Sequence, residues 1–349
     1  MISSASITFG RYSKENIANY TEQMFQAIVA MSLELEFISS NVGALLSILH
    51  VLVLSRKSMR TSSTNTIWLG IAICDLVCML VVARNGYIIL YMMGSCTPPR
   101  TMFSMRLDSL VTSLHNALRR SSAWLGTLMA VVRYLAVSDM ANQTNRYTPP
   151  KVGLKVVSGA FTVSFLFTLT FNLHLDFERV GEWYPGTKCA MENVSYPIFV
   201  QRVNQYTETG NDVLARGGLI VEGLFSKIVP SLVLPVLTVL LLREIRKSLK
   251  VVPENSIQIV RISRTNRTTI LTILIASLFF VSEFPVGVVD IYKAAGGSVY
   301  KDLGRNVIFL CDAIFSINTS VHCLLIFFMS SQYRATAWTL FNCKTNAPK

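Results

Sequence analysis

Seven apolar runs divide this chain, at approximately Phe37 to Leu54, Thr66 to Met92, Leu107 to Val137, Val152 to Leu173, Leu219 to Leu242, Thr268 to Ile291 and Val307 to Met329. Within them apolar residues follow one another, instead of recurring every three or four positions as on a helix that covers a soluble core. A helix needs about 20 mostly apolar residues to cross the hydrocarbon of a bilayer. The pattern therefore predicts an all-α membrane protein, a seven-transmembrane helix bundle. After the last run, Ser330 to Phe341 reads as a short amphipathic helix lying on the inner face.

Basic residues set the orientation. Arg56, Lys57 and Arg60 follow the first run, and Arg243, Arg246, Lys247, Lys250, Arg261, Arg264 and Arg267 follow the fifth. Such clusters belong on the cytoplasmic side. With an odd number of spans, residues 1–32 form an extracellular tail, 33–329 the membrane domain, and 330–349 a cytoplasmic helix and tail. The first thirty residues are polar and mixed and show no cleavable signal pattern, so the first span is expected to serve as its own insertion signal in a plasma-membrane, multi-pass protein.

Composition agrees: 51% of the 349 residues are hydrophobic and only 15% are charged. The net charge of +12 would suit nucleic acid, but the basic residues sit at membrane edges and no nucleic-acid module is readable. The expected contact is membrane lipid. The four histidines, His50, His115, His174 and His322, never stand in a metal-binding pair, and neither a phosphate loop nor a nucleophile elbow occurs. An enzyme is not expected, nor any resident metal or cofactor. A retinal pump would need a lysine on the last span, and none lies between Val307 and Met329.

Two of the seven cysteines, Cys96 and Cys189, fall on the outer side, where oxidising conditions favour a disulfide between them. Cys343, just inside the membrane, is a candidate for palmitoylation. Asn19 and Asn193 head glycosylation triplets on the outer side, although the same triplet at Asn142 and Asn266 falls on the inner side. The long outer loop from about His174 to Arg216 is expected to form a partly ordered lid.

Charged residues within the apolar runs carry the functional signal, because an arginine or acid near the bilayer centre must face protein, a counter-charge or a wet cavity. The third run contains Arg119, Arg120 and Arg133. Adjacent helical residues diverge by about 100°, so Arg119 and Arg120 cannot both point straight inward. Arg133 lies 13 residues below Arg120, or roughly 20 Å along a helix. This separates an outer layer of candidate ligand-binding residues, His115, Arg119, Arg120, Glu283 and Asp312, from deeper groups at Asp75, Ser122 and Asn318. One of the two outer arginines is expected to pair with Glu283, either as a switch or as a static aid to assembly. Asp75 is either a hydrogen-bond hub or an ion site. Pro230, Pro235 and Pro285 permit kinks in the fifth and sixth spans.

Seven spans, the outer cysteine pair and the surroundings of Arg133 together resemble the rhodopsin-like G-protein-coupled receptors. Five blocks, in order, are similar to the nematode serpentine receptor class W, which itself resembles FMRFamide-like neuropeptide receptors. They are Arg56-Lys57-Ser58-Met59-Arg60-Thr61-Ser62-Ser63, Gly70-Ile71-Ala72-Ile73-Cys74-Asp75, Ser121-Ser122-Ala123-Trp124-Leu125-Gly126, Ser282-Glu283-Phe284-Pro285 and Met329-Ser330-Ser331-Gln332-Tyr333-Arg334. The resemblance implies a receptor for an extracellular peptide or small-molecule ligand, coupled to a heterotrimeric G protein through movement of its fifth and sixth helices. It places Asp75, Ser122 and Asn318 at a pocket that holds a sodium ion in such receptors. Arg133, with Tyr134, stands where the G protein is met, and Pro230 and Pro285 are the hinge prolines.

Departures from the pattern fall at the inner end. Val132 replaces the acid that normally restrains Arg133, Ser47 stands where the first span usually has asparagine, and His322-Cys323-Leu324-Leu325-Ile326 replaces Asn-Pro-x-x-Tyr. Three readings stay open: a peptide receptor whose Glu283 and Asp312 meet an amidated, arginine-containing end, a chemosensory receptor for a small environmental cue, and a weakly signalling decoy. A transporter or channel would be expected to show inverted repeats, and the two halves of the sequence are not alike.

Overall fold

A computed structural model describes residues 3–94, 96–141, 146–172, 175–186, 189, 195–203, 211–250, 256–295 and 301–341. Nearly all of these are helical. Helix α1 spans Ser3–Leu54, α2 Ser63–Tyr87 with a π-helical end at Ile88–Met92, α3 Met102–Ala141, and α4 Pro150–Asn172. Strands β1 (Leu175–Trp183) and β2 (Tyr196–Val203) follow. Helix α5 (Asn211–Val221) runs through a π-helical segment, Glu222–Ile228, into α6 (Val229–Lys250). The last three helices are α7 (Ser256–Ala294), α8 (Lys301–Met329) and α9 (Ser331–Phe341).

Five helical stretches among the described residues are long and apolar enough to cross a membrane: Gln26–Leu54, Ser63–Met92, Pro150–Thr170, Arg216–Glu244 and Asn306–Phe328. Helix α3 misses that apolarity because Arg119, Arg120 and Arg133 interrupt it, and the described part of α7 carries Glu283, Asp290 and Lys293.

The core runs between α1, α2, α3 and α8 and is built from Ile67, Ile71, Cys74, Met79, Leu125 and Phe315, among others. Leu125 and Ile67 are fully buried there. The start of α2 is fixed twice: the Ser62 side chain accepts the Asn65 N–H at 3.3 Å, and the Ser63 hydroxyl donates to the Tyr147 carbonyl at 2.7 Å. Gly153 lets α4 close on this point, since a Cβ there would lie 2.4 Å from the Ser63 carbonyl oxygen.

Two regions differ from the sequence expectation. Residues 3–32, expected as a tail, continue the backbone of α1. The outer loop forms an antiparallel hairpin of β1 and β2, with a register shift between Arg179 and Gly181. The Trp183 and Tyr196 rings meet across it at 6.1 Å. At its tip the Tyr184 hydroxyl donates to Glu182 at 3.0 Å, which holds the exposed carboxyl below the usual range. Cys96 and Cys189 are joined in a disulfide that ties this loop to the outer end of α3.

Helix α9 packs back on the bundle. Tyr333 and Ala337 enter the core, Gln332 donates to the Ser58 carbonyl at 2.7 Å, and Trp338 stays 61% exposed. Asn193 and Cys343 lie outside the described residues. Asn19 falls on the α1 backbone, and its side chain is likewise outside them.

Candidate functional site

Arg119 and Arg120 leave α3 in different directions, as adjacent helical residues must. Arg119 donates from Nε to Glu283 at 2.9 Å and from Nη1 to Asp312 at 2.7 Å. Its guanidinium lies 4.3 Å from the Phe315 ring centre. Arg120 donates to the Ser226 hydroxyl at 2.7 Å, the Ser164 carbonyl at 3.0 Å and the Thr168 hydroxyl at 3.1 Å, and it pairs with Glu222. Phe167 covers its face at 4.2 Å. Arg119 therefore joins α3 to α7 and α8, while Arg120 joins α3 to α4 and to the π-helical segment. Each buried guanidinium has the several hydrogen bonds and the counter-charge that offset its desolvation.

Both arginines are thus engaged, where the sequence expected a single pair with Glu283. His115 belongs to the same level but bonds neither acid: its Nδ1 lies 3.4 Å from Asn116 Oδ1, and its Nε2 has no partner among the described residues. Sequence reasoning passed over Glu222, Lys227 and Asp290. The available signal was the same one that marked Glu283, a charge inside an apolar run. Glu222 and Asp290 stand near the ends of their runs, where a charge carries little signal, while Lys227 lies well inside its run and could have been found.

The π-helical segment explains why Glu222 and Ser226 both reach Arg120. One extra residue per turn re-aims the side chains of that turn, and the irregular hydrogen bonding sits directly before Pro230, which has no N–H to give. Gly223 in this segment meets Gly287 of α7 backbone to backbone. A Cβ on Gly223 would lie 2.7 Å from the Gly287 carbonyl oxygen, and one on Gly287 2.9 Å from that of Gly223. One turn further, Lys227 donates to Asp290 at 2.7 Å. The outer halves of α7 and of the α5–α6 rod are therefore pinned together, just outside Pro285 and Pro230.

Two outer cavities open here. One of about 450 Å³ lies between Arg100, Asp108, Arg120, Glu222 and the hairpin residues Leu175 and Gln201. The other, about 230 Å³, is lined by Asn116, Arg119, Lys227, Glu283 and Asp290. At the mouth Asp108 pairs with Arg84 and, at 2.7 Å, with Arg100.

The inner layer is built differently. Asp75 accepts from the Ser122 hydroxyl at 2.8 Å and faces His322 Nδ1 at 3.3 Å. Asn318 is 1% exposed, and its Oδ1 has no partner among the described residues. The structure thus joins Asp75 to Ser122 but not to Asn318. Trp68 sets its edge against His322 and His50, and His50 Nδ1 is hydrogen-bonded to the Tyr333 hydroxyl at 3.0 Å. Burial pushes that hydroxyl's pKa up. Tyr333 was not singled out from the sequence, although it stands in one of the five blocks.

Arg133 lines a cavity of about 490 Å³ together with Asp75, Asn318, Thr238, Thr319 and His322. Among the described residues it has neither an ion pair nor a hydrogen bond. Val132, where an acid was missed, is buried in the core, and Tyr134 is half-buried. Ile326 packs into the same core.

The described residues thus form a helical bundle with paired charges at one level and a cavity around an arginine at another. The chain belongs to a family of seven-transmembrane G-protein-coupled receptors, described as serpentine type 7TM GPCR chemoreceptor Srw, whose profile matches residues 34–344. It is similar to the Sex peptide receptor of Drosophila melanogaster, 27% identical over 319 residues, covering 86% of this chain and 70% of that one. It is also similar to the G-protein coupled receptor dmsr-1 of Caenorhabditis elegans, 23% identical over 214 residues, covering 59% of this chain but only 41% of the relative. The protein is accordingly a membrane receptor and not an enzyme. An extracellular ligand and a G protein are the partners its family implies.

Proposed function

We propose that this chain is a plasma-membrane receptor for a peptide, crossing the bilayer seven times with its amino terminus outside and α9 resting on the inner face. The seven spans are α1 to α4, the α5–α6 rod, α7 and α8. The peptide enters beneath the hairpin, into the two cavities around Arg119 and Arg120. The observation that carries this reading is the pairing of Arg119 with both Glu283 and Asp312. These acids are already matched, so a cationic group on the ligand acts by competing with Arg119. Freed from Glu283, α7 can tilt at Pro285 and open the cavity around Arg133 to the G protein. The name of the Drosophila relative supports a peptide over a small cue.

The test is expression in reporter cells challenged with a panel of amidated peptides, with basic-to-neutral replacements, and with chemical extracts. A response to a peptide that falls at least tenfold when its basic residue is replaced is the expected result. A response confined to small apolar chemicals would overturn the peptide reading and leave a chemosensory receptor. The decoy reading rests on Ile326, which buries an apolar side chain where coupled receptors carry a tyrosine hydroxyl. Silence to the whole panel, with basal activity appearing in Ile326→Tyr, would favour it.

A further inference from the structure

The carboxylate of Asp75 is buried on α2, with its side chain 5% exposed, and a buried carboxylate needs a positive pole close by. Receptors that resemble this one place a sodium ion at the matching position, so the residues present must be tested against such an ion. A hard cation asks for several oxygen ligands converging on one point. Here one carboxylate oxygen accepts the Ser122 hydroxyl at 2.8 Å and the other faces a ring nitrogen, His322 Nδ1, at 3.3 Å. An N–H directed at a carboxylate occupies the approach a cation would use, and the two positive poles repel. Two further oxygens border the same cavity, Asn318 Oδ1 and Thr319 Oγ1; neither is hydrogen-bonded to Asp75, and both are unpartnered among the described residues. Oxygens are present, but with His322 Nδ1 set against the second carboxylate oxygen the site as built does not fit sodium.

We infer that His322 takes the cation's place: its Nδ1–H closes the joint between α2, α3 and α8 directly, so that the resting receptor is indifferent to sodium. The neutral Nδ1–H tautomer suffices, and no change of protonation is required. Trp68 holds the ring from the side, 6.0 Å away and nearly perpendicular, so the imidazole cannot swing off Asp75 freely. The loss of asparagine at position 322, which weakens the resemblance, becomes the feature that defines this pocket.

The decisive measurement is the melting temperature of the purified full-length receptor in lipid nanodiscs, in NaCl against KCl at equal ionic strength. The wild type should melt at the same temperature in both salts. His322→Asn replaces the ring with a shorter side chain that can turn its amide oxygen to the cavity, and should gain a sodium-specific rise of about 2 °C, the shift expected when an ion binds the native state about tenfold above its dissociation constant. Adding Asp75→Asn to that variant should abolish the rise. A sodium-specific rise in the wild type overturns the inference without any variant. So does a His322→Asn receptor that folds and shows none, or a double variant that keeps the rise.

Discussion

Arg119 and Arg133 stand on one helix, 14 residues apart, and are treated in opposite ways. Arg119 is gripped by two acids from two other helices and capped by an aromatic ring. Arg133 faces a cavity and has no such partner among the described residues. The cost of an arginine at membrane depth belongs to its surroundings more than to the residue. Where counter-charges meet it, the arginine becomes a brace. Where space meets it, the arginine has no counter-charge among the described residues and borders an open cavity.

The largest effect should come from removing the brace. Arg119→Met strands Glu283 and Asp312, and breaking a buried pair on one side costs about 3–5 kcal/mol. Surface expression and melting temperature should fall together, with partial recovery when Glu283→Gln and Asp312→Asn are added. An Arg119→Met receptor as stable as the wild type would show that the outer layer carries no stability and would erase the contrast.

A smaller loss is expected where the outer halves of α7 and the α5–α6 rod touch. Gly223→Ala puts a methyl group against backbone, which cannot step aside, at a cost of about 1–3 kcal/mol. Gly159→Ala, where a Cβ meets open space, is the control and should be neutral or slightly stabilising. Equal melting temperatures for the two variants would mean that the close contact is unimportant.

The smallest loss of stability belongs to Arg133→Met, since no ion pair or hydrogen bond among the described residues is broken; its melting temperature should equal or exceed that of the wild type. Its effect should instead appear in ligand-driven G-protein activation, which should be lost at unchanged surface expression. A large drop in melting temperature would mean that Arg133 is held after all, and the two layers would be alike.

How much of this was legible in the sequence follows from the range of each interaction. The apolar runs are local, and they delivered the helices. The outer cysteines could be paired because only two were expected outside. The arginines could be ranked as buried but not assigned, since Glu222, Glu283 and Asp312 are brought to them by helices more than a hundred residues away in sequence. The hairpin escaped notice because β1 mixes charges with apolar residues and so reads as loop. The π-helical segment has no sequence periodicity of its own, and its presence shows only in where Glu222 and Ser226 end up. Val132 raised the question of what restrains Arg133, and the described residues supply no restraint by charge.

The contact between Gly223 and Gly287 also sets a gear ratio. Gly287 lies 7 residues from the outer end of α7 and 31 from its inner end, or roughly 10 Å and 46 Å along the helix. If α7 swings about that point without bending at Pro285, its inner end moves about four times as far as its outer one. A shift of the short arm by a fraction of an ångström would be magnified at the long arm to a movement on the scale of a side chain.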